Sequence, residues 1–214
     1  MCPRKPRARR PAPPRPTPDR VPVLGLTGGI GAGKSTALAA LEELGAATLS
    51  SDRIVHDLYA EPAVRDAVVG RWGPDVAPGG TVDRAAVARH AFADPRERGW
   101  LEGLLWPLVA ERMARWRAGL EARRPRPPAG VIEVPLLFES GLEGGFDATI
   151  AVVADESLRR ARAGSRGHAA LDERSARQLG QDEKASRATF VVRNDGTERE
   201  LAAKLSPILA KLKE

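Results

Sequence analysis

A glycine-rich segment between an apolar run and a helical pattern constrains this chain more than any other feature. Residues 27–36 read TGGIGAGKST and contain the spacing G-x-x-x-x-G-K-S of a phosphate-binding P-loop. The apolar residues 21–26 before it predict a buried parallel strand, and residues 35–44 after it place leucines on one helical face. The strand, loop and helix that the motif requires therefore occur in order, and they predict a nucleoside triphosphate site.

The residue types in this loop predict how it holds phosphate. Glycines allow consecutive N–H groups to point inward as an anion-binding nest, and the positive end of the following helix adds to it. Lys34 is placed to reach the β- and γ-phosphates of ATP, and the Ser35 hydroxyl is placed to ligate Mg²⁺. The residues predicted to bind ATP here are Gly28, Gly29, Ile30, Gly31, Ala32, Gly33, Lys34, Ser35 and Thr36.

Strands and helices alternate along the rest of the chain. Further buried strands are predicted at 46–49, 131–134, 148–153 and 190–192. Helices are predicted at 62–72, from Asp83, from Asp94 with a break at Pro107, from Asp155, at 172–187 and at 198–213. This alternation predicts an α/β fold with a parallel sheet of about five strands flanked by helices.

The positive charge of the chain is concentrated at its N-terminus. Residues 1–20 carry seven basic side chains, one acidic side chain and seven of the 18 prolines, so they account for the whole net charge of +6. This composition predicts a disordered or extended, solvated tail, with RNA or anionic lipid as an alternative partner. Residues 21–214 are predicted to form the folded domain.

Composition also restricts the compartment. The single cysteine, Cys2, excludes a disulfide framework and a cysteine metal site. No apolar stretch approaches membrane-spanning length, and the first residues lack the apolar core of a secretory signal. We therefore expect a cytoplasmic protein without a membrane segment, and the oligomeric state is left open.

An aspartate follows the second predicted strand. Ligands of open parallel sheets bind beyond the carboxyl ends of the strands, so Asp52 is expected to face the phosphate loop. A carboxylate there could accept the hydroxyl proton of a substrate as a general base. Alternatively, Ser51 or Asp52 caps the helix that follows. Both roles remain open from the residues alone.

Five stretches, taken in order, resemble one family. They are GLTGGIGAGKST at 25–36, SSDRIVH at 50–56, TVDR at 81–84, VPLLFE at 134–139 and the N-x-G that begins at Asn194. Together they cover most of 21–214 and resemble dephospho-coenzyme A kinases. The resemblance implies a P-loop kinase-like fold. It also implies transfer of the γ-phosphoryl group of ATP to the ribose 3′-hydroxyl of dephospho-CoA, the final step of coenzyme A biosynthesis.

The resemblance implies roles for residues outside the loop. Asp52 matches the catalytic base proposed for the family, while Ser50 stands where an aspartate usually begins the same motif. His56, one helical turn beyond Asp52 and on the same face, and Arg84 are implied as substrate contacts. Glu133 is implied as a carboxylate that supports the Mg²⁺ site without ligating the ion directly.

The resemblance also divides the domain. Residues 60–122 correspond to a helical substrate-binding region, and residues 155–187 correspond to a lid. Arg162 and Arg166 fall where lid arginines approach the transferring phosphoryl group, whose charge they would offset. The neighbouring arginines are predicted to form a charged, solvated helix surface: Arg159, Arg160, Arg174 and Arg177.

The resemblance also covers a late turn, and the chain departs from the family pattern at three further places. Asn194 and Gly196 resemble the turn that borders the adenine of ATP. The chain departs from the family pattern at Trp106, where a histidine is usual, at Thr189, where an aspartate is usual, and in a shorter stretch before Lys184.

Three other kinds of protein are considered beside this resemblance. One alternative is another small-molecule kinase that acts on nucleosides or nucleotides. A second is a nucleotide-dependent protein that binds nucleic acid through the basic tail. A GTPase switch is disfavoured, because the sequence contains no Asn-Lys-x-Asp string.

Overall fold

A five-stranded sheet lies at the centre of the computed structural model, which describes residues 20–164 and 178–212. The strands are β1 (Val23–Gly28), β2 (Ala47–Ser50), β3 (Gly130–Glu133), β4 (Ala148–Val153) and β5 (Phe190–Arg193). Their order is β2-β3-β1-β4-β5, and β1 pairs in parallel with β3 and β4, as β4 does with β5. The predicted parallel α/β sheet of five strands is confirmed.

Eight α-helices occur among the described residues. They are α1 (Lys34–Glu43), α2 (Ser51–Leu58), α3 (Pro62–Trp72), α4 (Arg84–Ala93), α5 (Pro95–Ala118), α6 (Glu156–Gly164), α7 (Gln181–Arg187) and α8 (Glu198–Ala210). The chain divides into two compact units. The first comprises residues up to Leu49 and from Gly119 onward, and the second is Ser50–Ala118, which contains α2 to α5.

The core of the first unit lies between the sheet and helices α1 and α8. All six residues of β1 are buried, as expected for a strand whose two faces are both covered. Leu41 of α1 and Leu205 of α8 are fully buried in the same cluster as Leu24 and Leu26. Leu38 and Leu44, predicted to share the face of Leu41, are partly buried and pack against this cluster.

An aromatic cluster organises the second unit. The ring of Trp72 stacks on His90, with centroids 5.6 Å apart, and meets Trp100 edge-on at 5.1 Å. Its indole Nε1 donates to Glu97 Oε2 at 2.7 Å, and the Arg71 guanidinium donates to both oxygens of the same carboxylate. These hydrogen bonds and ring contacts therefore hold the end of α3 against α5.

The break predicted at Pro107 is wrong. Helix α5 is assigned without interruption from Pro95 to Ala118, with Pro107 inside it. A proline removes one backbone hydrogen bond but does not end a helix whose neighbouring turns are held by packing. Leu105 is buried, and Trp100 lies in the aromatic cluster, so the packing of α5 outweighs the lost bond.

The alternative in which Ser51 or Asp52 caps α2 does not occur. Ser51 and Asp52 are the first two helical residues, and the N-cap is Ser50, in an extended conformation and without a side-chain capping hydrogen bond. The helix begins directly where β2 ends, so Asp52 lies inside the first turn. The capping role that competed with a functional role for Asp52 is therefore removed.

The helix predicted at 172–187 is not continuous over its described part. Residues 178–180 are not helical, and α7 begins at Gln181 after Gly180, whose backbone is extended. Residues 172–177 lie outside the described part of the chain, as does the predicted tail up to residue 19. The predicted terminal helix ends at Ala210 rather than at residue 213.

Candidate active site

The phosphate loop connects the buried end of β1 to the first turn of α1. Gly31 and Gly33 have φ angles of 76° and 91°, in the left-handed region that residues with a Cβ rarely adopt. The N–H of Ala32 donates to the carbonyl of Gly29 at 3.1 Å, which closes a tight turn inside the loop. The glycine pattern read from the sequence therefore corresponds to backbone conformations that require glycine.

The start of α1 is electropositive. Its N-cap is Gly33, which has no side chain to satisfy the free N–H groups, and its first turn contains no acidic residue. Lys34 is the first helical residue, and its ammonium donates to the carbonyl of Gly29 at 3.3 Å. Ser35 is exposed in the same turn. Unsatisfied N–H groups, a lysine and a free hydroxyl thus meet at one helix terminus, which is the chemistry of a phosphate site.

Two residues far away in sequence hold this loop from outside. The side-chain amide of Asn194 is buried and donates from Nδ2 to the carbonyl of Ala32 at 2.9 Å. The guanidinium Nε of Arg159, in α6, donates to the carbonyl of Ile30 at 3.0 Å. Both bonds occupy carbonyl oxygens of the loop, so these oxygens are held by the protein and do not repel an anion.

The loop glycines also allow these partners to approach. A Cβ on Gly33 would lie 2.1 Å from Asn194 Nδ2, and a Cβ on Gly31 would lie 2.3 Å from the backbone oxygen of Arg159. Neither distance is possible for a real side-chain atom. The two glycines therefore serve the packing around the loop as well as its backbone conformation.

Arg159 is an exception to the solvated helix surface that is predicted for most of the neighbouring arginines. Its side chain is only 20% exposed and also pairs with Glu156 at 2.7 Å, whereas Arg160, the next residue, is 80% exposed. A signal in the sequence could have indicated this. Arg159 lies three residues before Arg162, so the two share a face of α6, and Arg162 was already predicted to face the loop.

The structure describes one of the two predicted lid arginines and both residues of the predicted adenine turn. Arg162 donates from Nη1 to the backbone carbonyl of Asn194 at 2.9 Å, whereas Arg166 lies outside the described residues. Gly196 sits just before α8, where Thr197 and Glu200 form a reciprocal capping box. Asn194 therefore directs its side chain to the phosphate loop and its carbonyl to Arg162, a dual use that sequence reasoning did not predict.

A buried ion pair lies at the base of the loop and was not predicted. Lys184 of α7 is 0% exposed and pairs with Glu139, with 2.9 Å between Nζ and Oε1. Burial lowers the pKa of the Lys184 ammonium below its ordinary value, and the hydrogen bond and charge of Glu139 oppose this shift.

Glu133, at the end of β3, is buried and pairs in register with Leu26 of β1.

The residues predicted for the acceptor side lie in the second unit. Asp52 and His56 are exposed one turn apart on α2, and the side chain of Asp52 makes no hydrogen bond or ion pair within the described ranges. Arg84 is the exposed first residue of α4. Burial raises the pKa of the Tyr59 hydroxyl, and the positive charge of Arg84 opposes that rise, so these two side chains interact. The carboxylate of Asp52 is therefore available for an external proton.

The loop fits a magnesium ion that is shared with phosphate. Within residues 20–164 and 178–212, no group of three or more His, Cys, Asp or Glu side chains could enclose a metal ion. Mg²⁺ does not need such a group, because it commonly keeps its waters and takes phosphate oxygens with one or two protein oxygens. The exposed hydroxyl of Ser35 can supply such an oxygen.

Comparison with known proteins decides the family. The sequence model of the family Dephospho-CoA kinase matches residues 22–200. The chain belongs to the dephospho-CoA kinase family. A dephospho-CoA kinase of Deinococcus radiodurans is 40% identical over 207 residues, covering 95% of this chain and 98% of that protein. One of Symbiobacterium thermophilum is 41% identical over 180 residues, covering 82% of this chain and 74% of that protein.

Solved structures support the same fold. The crystal structure of TT1252 from Thermus thermophilus aligns with a TM-score of 0.75 and 33% identity, covering 91% of this chain and all of that one. A dephospho-CoA kinase from Campylobacter jejuni aligns with a TM-score of 0.65 at 21% identity, which supports the fold alone. Within the described residues, no helix is long and apolar enough to cross a membrane.

One departure from the dephospho-CoA kinase pattern is accommodated locally. Thr189, where the family usually has an aspartate, exchanges hydrogen bonds with Thr149: each backbone N–H donates to the other residue's hydroxyl, at 3.0 and 3.2 Å. These bonds join the start of β4 to the start of β5. The threonine pair makes this connection without a charged side chain. Trp106, at another departure, is 59% exposed on α5.

Proposed function

We propose that this protein transfers the γ-phosphoryl group of ATP to the ribose 3′-hydroxyl of dephospho-CoA, giving coenzyme A and ADP in the cytoplasm. The observation that carries the proposal is membership of the dephospho-CoA kinase family across residues 22–200. The geometry of the phosphate loop supports it, because the loop is already held in an anion-binding conformation by Asn194 and Arg159.

The first unit supplies the donor half of the reaction. In the proposal, the N–H groups of residues 28–36 receive the phosphates, and Lys34 neutralises charge on the β- and γ-phosphates. Arg162 donates to the carbonyl of Asn194, whose side chain holds the loop, so Arg162 lies beside the loop. In the proposal, Arg162 and Arg166 would offset charge that develops on the transferring group. The turn at Asn194 and Gly196 would border the adenine.

The second unit supplies the acceptor half. Asp52 accepts the proton of the 3′-hydroxyl while that oxygen forms a bond to the γ-phosphorus. The bond between the γ-phosphorus and the β–γ bridging oxygen breaks, and ADP leaves with the electron pair. Asp52 suits this task because it is exposed and has no internal partner among the described residues. His56, on the same face of α2, and Arg84 would contact the acceptor.

Magnesium completes the proposed donor site. When bound, the ion would neutralise part of the charge on the phosphate oxygens. On this chain, the Ser35 hydroxyl would hold it directly. Glu133, buried at the end of β3, would support the site through its negative charge.

The decisive test is a reaction of the purified chain with ATP and dephospho-CoA, with and without Mg²⁺, followed by mass detection of coenzyme A. Magnesium-dependent formation of coenzyme A is expected. Nucleosides, nucleotides and shikimate serve as control acceptors in a coupled assay for ADP. Faster turnover of a control acceptor than of dephospho-CoA would overturn the proposed acceptor while leaving a P-loop kinase.

A further inference from the structure

A fully buried lysine lies beside the strand that leads into the phosphate loop, and the reaction steps above do not use it. The ammonium of Lys184 donates to the carbonyl of Pro135 at 2.6 Å and to the hydroxyl of Thr27 at 3.4 Å, in addition to its ion pair with Glu139. Burying a charged group is costly unless several partners compensate it. The groups that compensate the charge of Lys184 therefore show which parts of the chain this lysine connects.

Its partners are the carboxyl ends of two neighbouring strands. Thr27 is the second-last residue of β1, directly before the loop, and Pro135 is the second residue after β3. The last backbone bond found between these strands runs from the N–H of Val134 to the carbonyl of Leu26, at 2.9 Å. Beyond it, the Thr27 hydroxyl donates to the carbonyl of Pro135 at 3.1 Å, and Lys184 bridges both groups. Side chains thus continue the connection where the backbone ladder stops.

Glu139 orients this lysine. Its Oε1 accepts from Lys184 and also from the backbone N–H of Leu179, at 2.9 Å, just before α7 begins. Its other oxygen, Oε2, is buried and has no hydrogen-bond partner in the described part of the chain. The carboxylate therefore acts through Oε1, where it favours the charged form of the lysine and fixes the start of α7.

We propose that Lys184 is a positioning residue for phosphoryl transfer, an inference that rests on the proposed function. It fixes the spacing between the ends of β1 and β3, from which the phosphate loop and the segment after Glu133 depart, and Glu139 keeps it charged and oriented. Loss of this bridge would displace the loop relative to the groups that act on the same phosphate. A displacement of about 1 Å can reduce a rate on the order of 10²-fold.

The main variant replaces both partners, Lys184→Met with Glu139→Gln, so that no unpaired charge is left buried. The glutamine side chain keeps an oxygen that can accept from the N–H of Leu179. Its NH₂ group replaces Oε2 of Glu139, the oxygen that has no hydrogen-bond partner in the described part of the chain. Lys204→Met is the matched control, because Lys204 also donates to a backbone carbonyl, that of Arg193 at 2.8 Å, but is exposed. Thr27→Val removes one contact of the lysine without changing charge or volume.

Each variant is measured in three ways: steady-state kinetics with both substrates, the midpoint of thermal unfolding, and ³¹P NMR of the bound, non-hydrolysable ATP analogue AMPPNP. For the double variant we expect kcat to fall about 10- to 100-fold, KM for dephospho-CoA to change less than about threefold, and the γ-phosphate resonance to shift. Thr27→Val should lower kcat about three- to tenfold. Lys204→Met should leave kcat and the resonance unchanged.

A double variant with a lower unfolding midpoint but unchanged kcat and an unchanged resonance would overturn the inference, because Lys184 would then only stabilise the fold. If the double variant does not fold, Thr27→Val decides: an unchanged kcat with an unchanged resonance overturns the proposal. If the unmodified chain forms no coenzyme A, the proposed function fails. The ³¹P comparison, which needs no acceptor, then decides the role of Lys184 by itself.

Discussion

The two groups of candidate site residues differ in how their polar atoms are used. Around the phosphate loop, Asn194, Arg159 and Lys184 each donate hydrogen bonds to backbone carbonyls of the loop or of the strand ends beside it. On α2, by contrast, Asp52 and His56 are exposed, and the side chain of Asp52 has no hydrogen bond or ion pair in the described part of the chain. The phosphate loop is held by internal hydrogen bonds, whereas the carboxylate of Asp52 is left exposed.

This difference follows from the chemistry proposed for each group. A phosphate site depends on the direction of backbone N–H groups, and packing can fix that direction in advance. A general base must keep an unused lone pair at its carboxylate, so internal hydrogen bonds would reduce its basicity. Four substitutions would test this difference.

Asp52→Asn should have the largest effect. We expect kcat to fall by a factor of roughly 10² to 10⁴, because the amide cannot accept the hydroxyl proton, while affinity for ATP stays nearly unchanged. Steady-state kinetics and binding of a fluorescent ATP analogue measure the two quantities. Asp57→Asn is the control on the same helix, since Asp57 is exposed but pairs with Arg53. Unchanged turnover in Asp52→Asn would remove this residue as the base.

Gly33→Ala should weaken ATP binding about 10- to 100-fold. The left-handed φ of 91° costs about 1–2 kcal/mol for alanine, and the new Cβ would collide with Asn194 Nδ2. Gly45→Ala separates the two causes, because Gly45 has a φ of 90° but its Cβ would meet nothing closer than 4.0 Å. Gly45→Ala should therefore lower stability and leave ATP affinity intact. Equal ATP affinities of the two variants would contradict the proposed role of the Asn194 contact.

Arg159→Gln should weaken ATP binding about tenfold. It removes the bond to the carbonyl of Ile30, and a hydrogen bond to a charged donor contributes about 1.5–3 kcal/mol, reduced here by partial exposure. Arg160→Gln is a matched control one residue away, on a side chain that is 80% exposed. Titration with an ATP analogue compares them. Similar affinities for both variants would mean that Arg159 does not organise the loop.

The smallest expected effect is on stability at acid pH. The experiment tests whether Asp52 lacks internal partners because the whole second unit is weakly stabilised. Hydrogen bonds from Arg71 and Trp72 lower the pKa of Glu97 from 4.5 to about 2. Its stabilising contribution is thus fully present above about pH 4.5 and is lost as the pH falls towards 2.

Glu97→Gln should therefore unfold at a lower midpoint than the unmodified chain at about pH 6, and the gap should narrow at about pH 3. Tryptophan fluorescence during thermal unfolding measures both midpoints. A gap that does not depend on pH would show that the charge of Glu97 is not what holds Trp72. The contrast between a second unit held by the contacts of Glu97 and an Asp52 side chain without an internal partner would then be weaker.

Local patterns in the sequence predicted much of the fold and one part of the site. The strand at 148–153 and the helix at 62–72 were predicted at their observed bounds, because period and flanking turn residues are local signals. The break at Pro107 failed because tertiary packing outweighs a single lost hydrogen bond. The capping of α2 failed because β2 runs directly into the helix.

The sequence by itself determined the phosphate loop and the family, since a conformation that needs glycine, a lysine and a hydroxyl lies within ten consecutive residues. Only the tertiary structure decided which side chains hold that loop. Asn194 lies 162 residues from Ala32, Arg159 lies 129 from Ile30, and Lys184 lies 157 from Thr27. These contacts exist because parallel strands bring the ends of distant segments to one edge of the sheet, and no local pattern encodes that meeting.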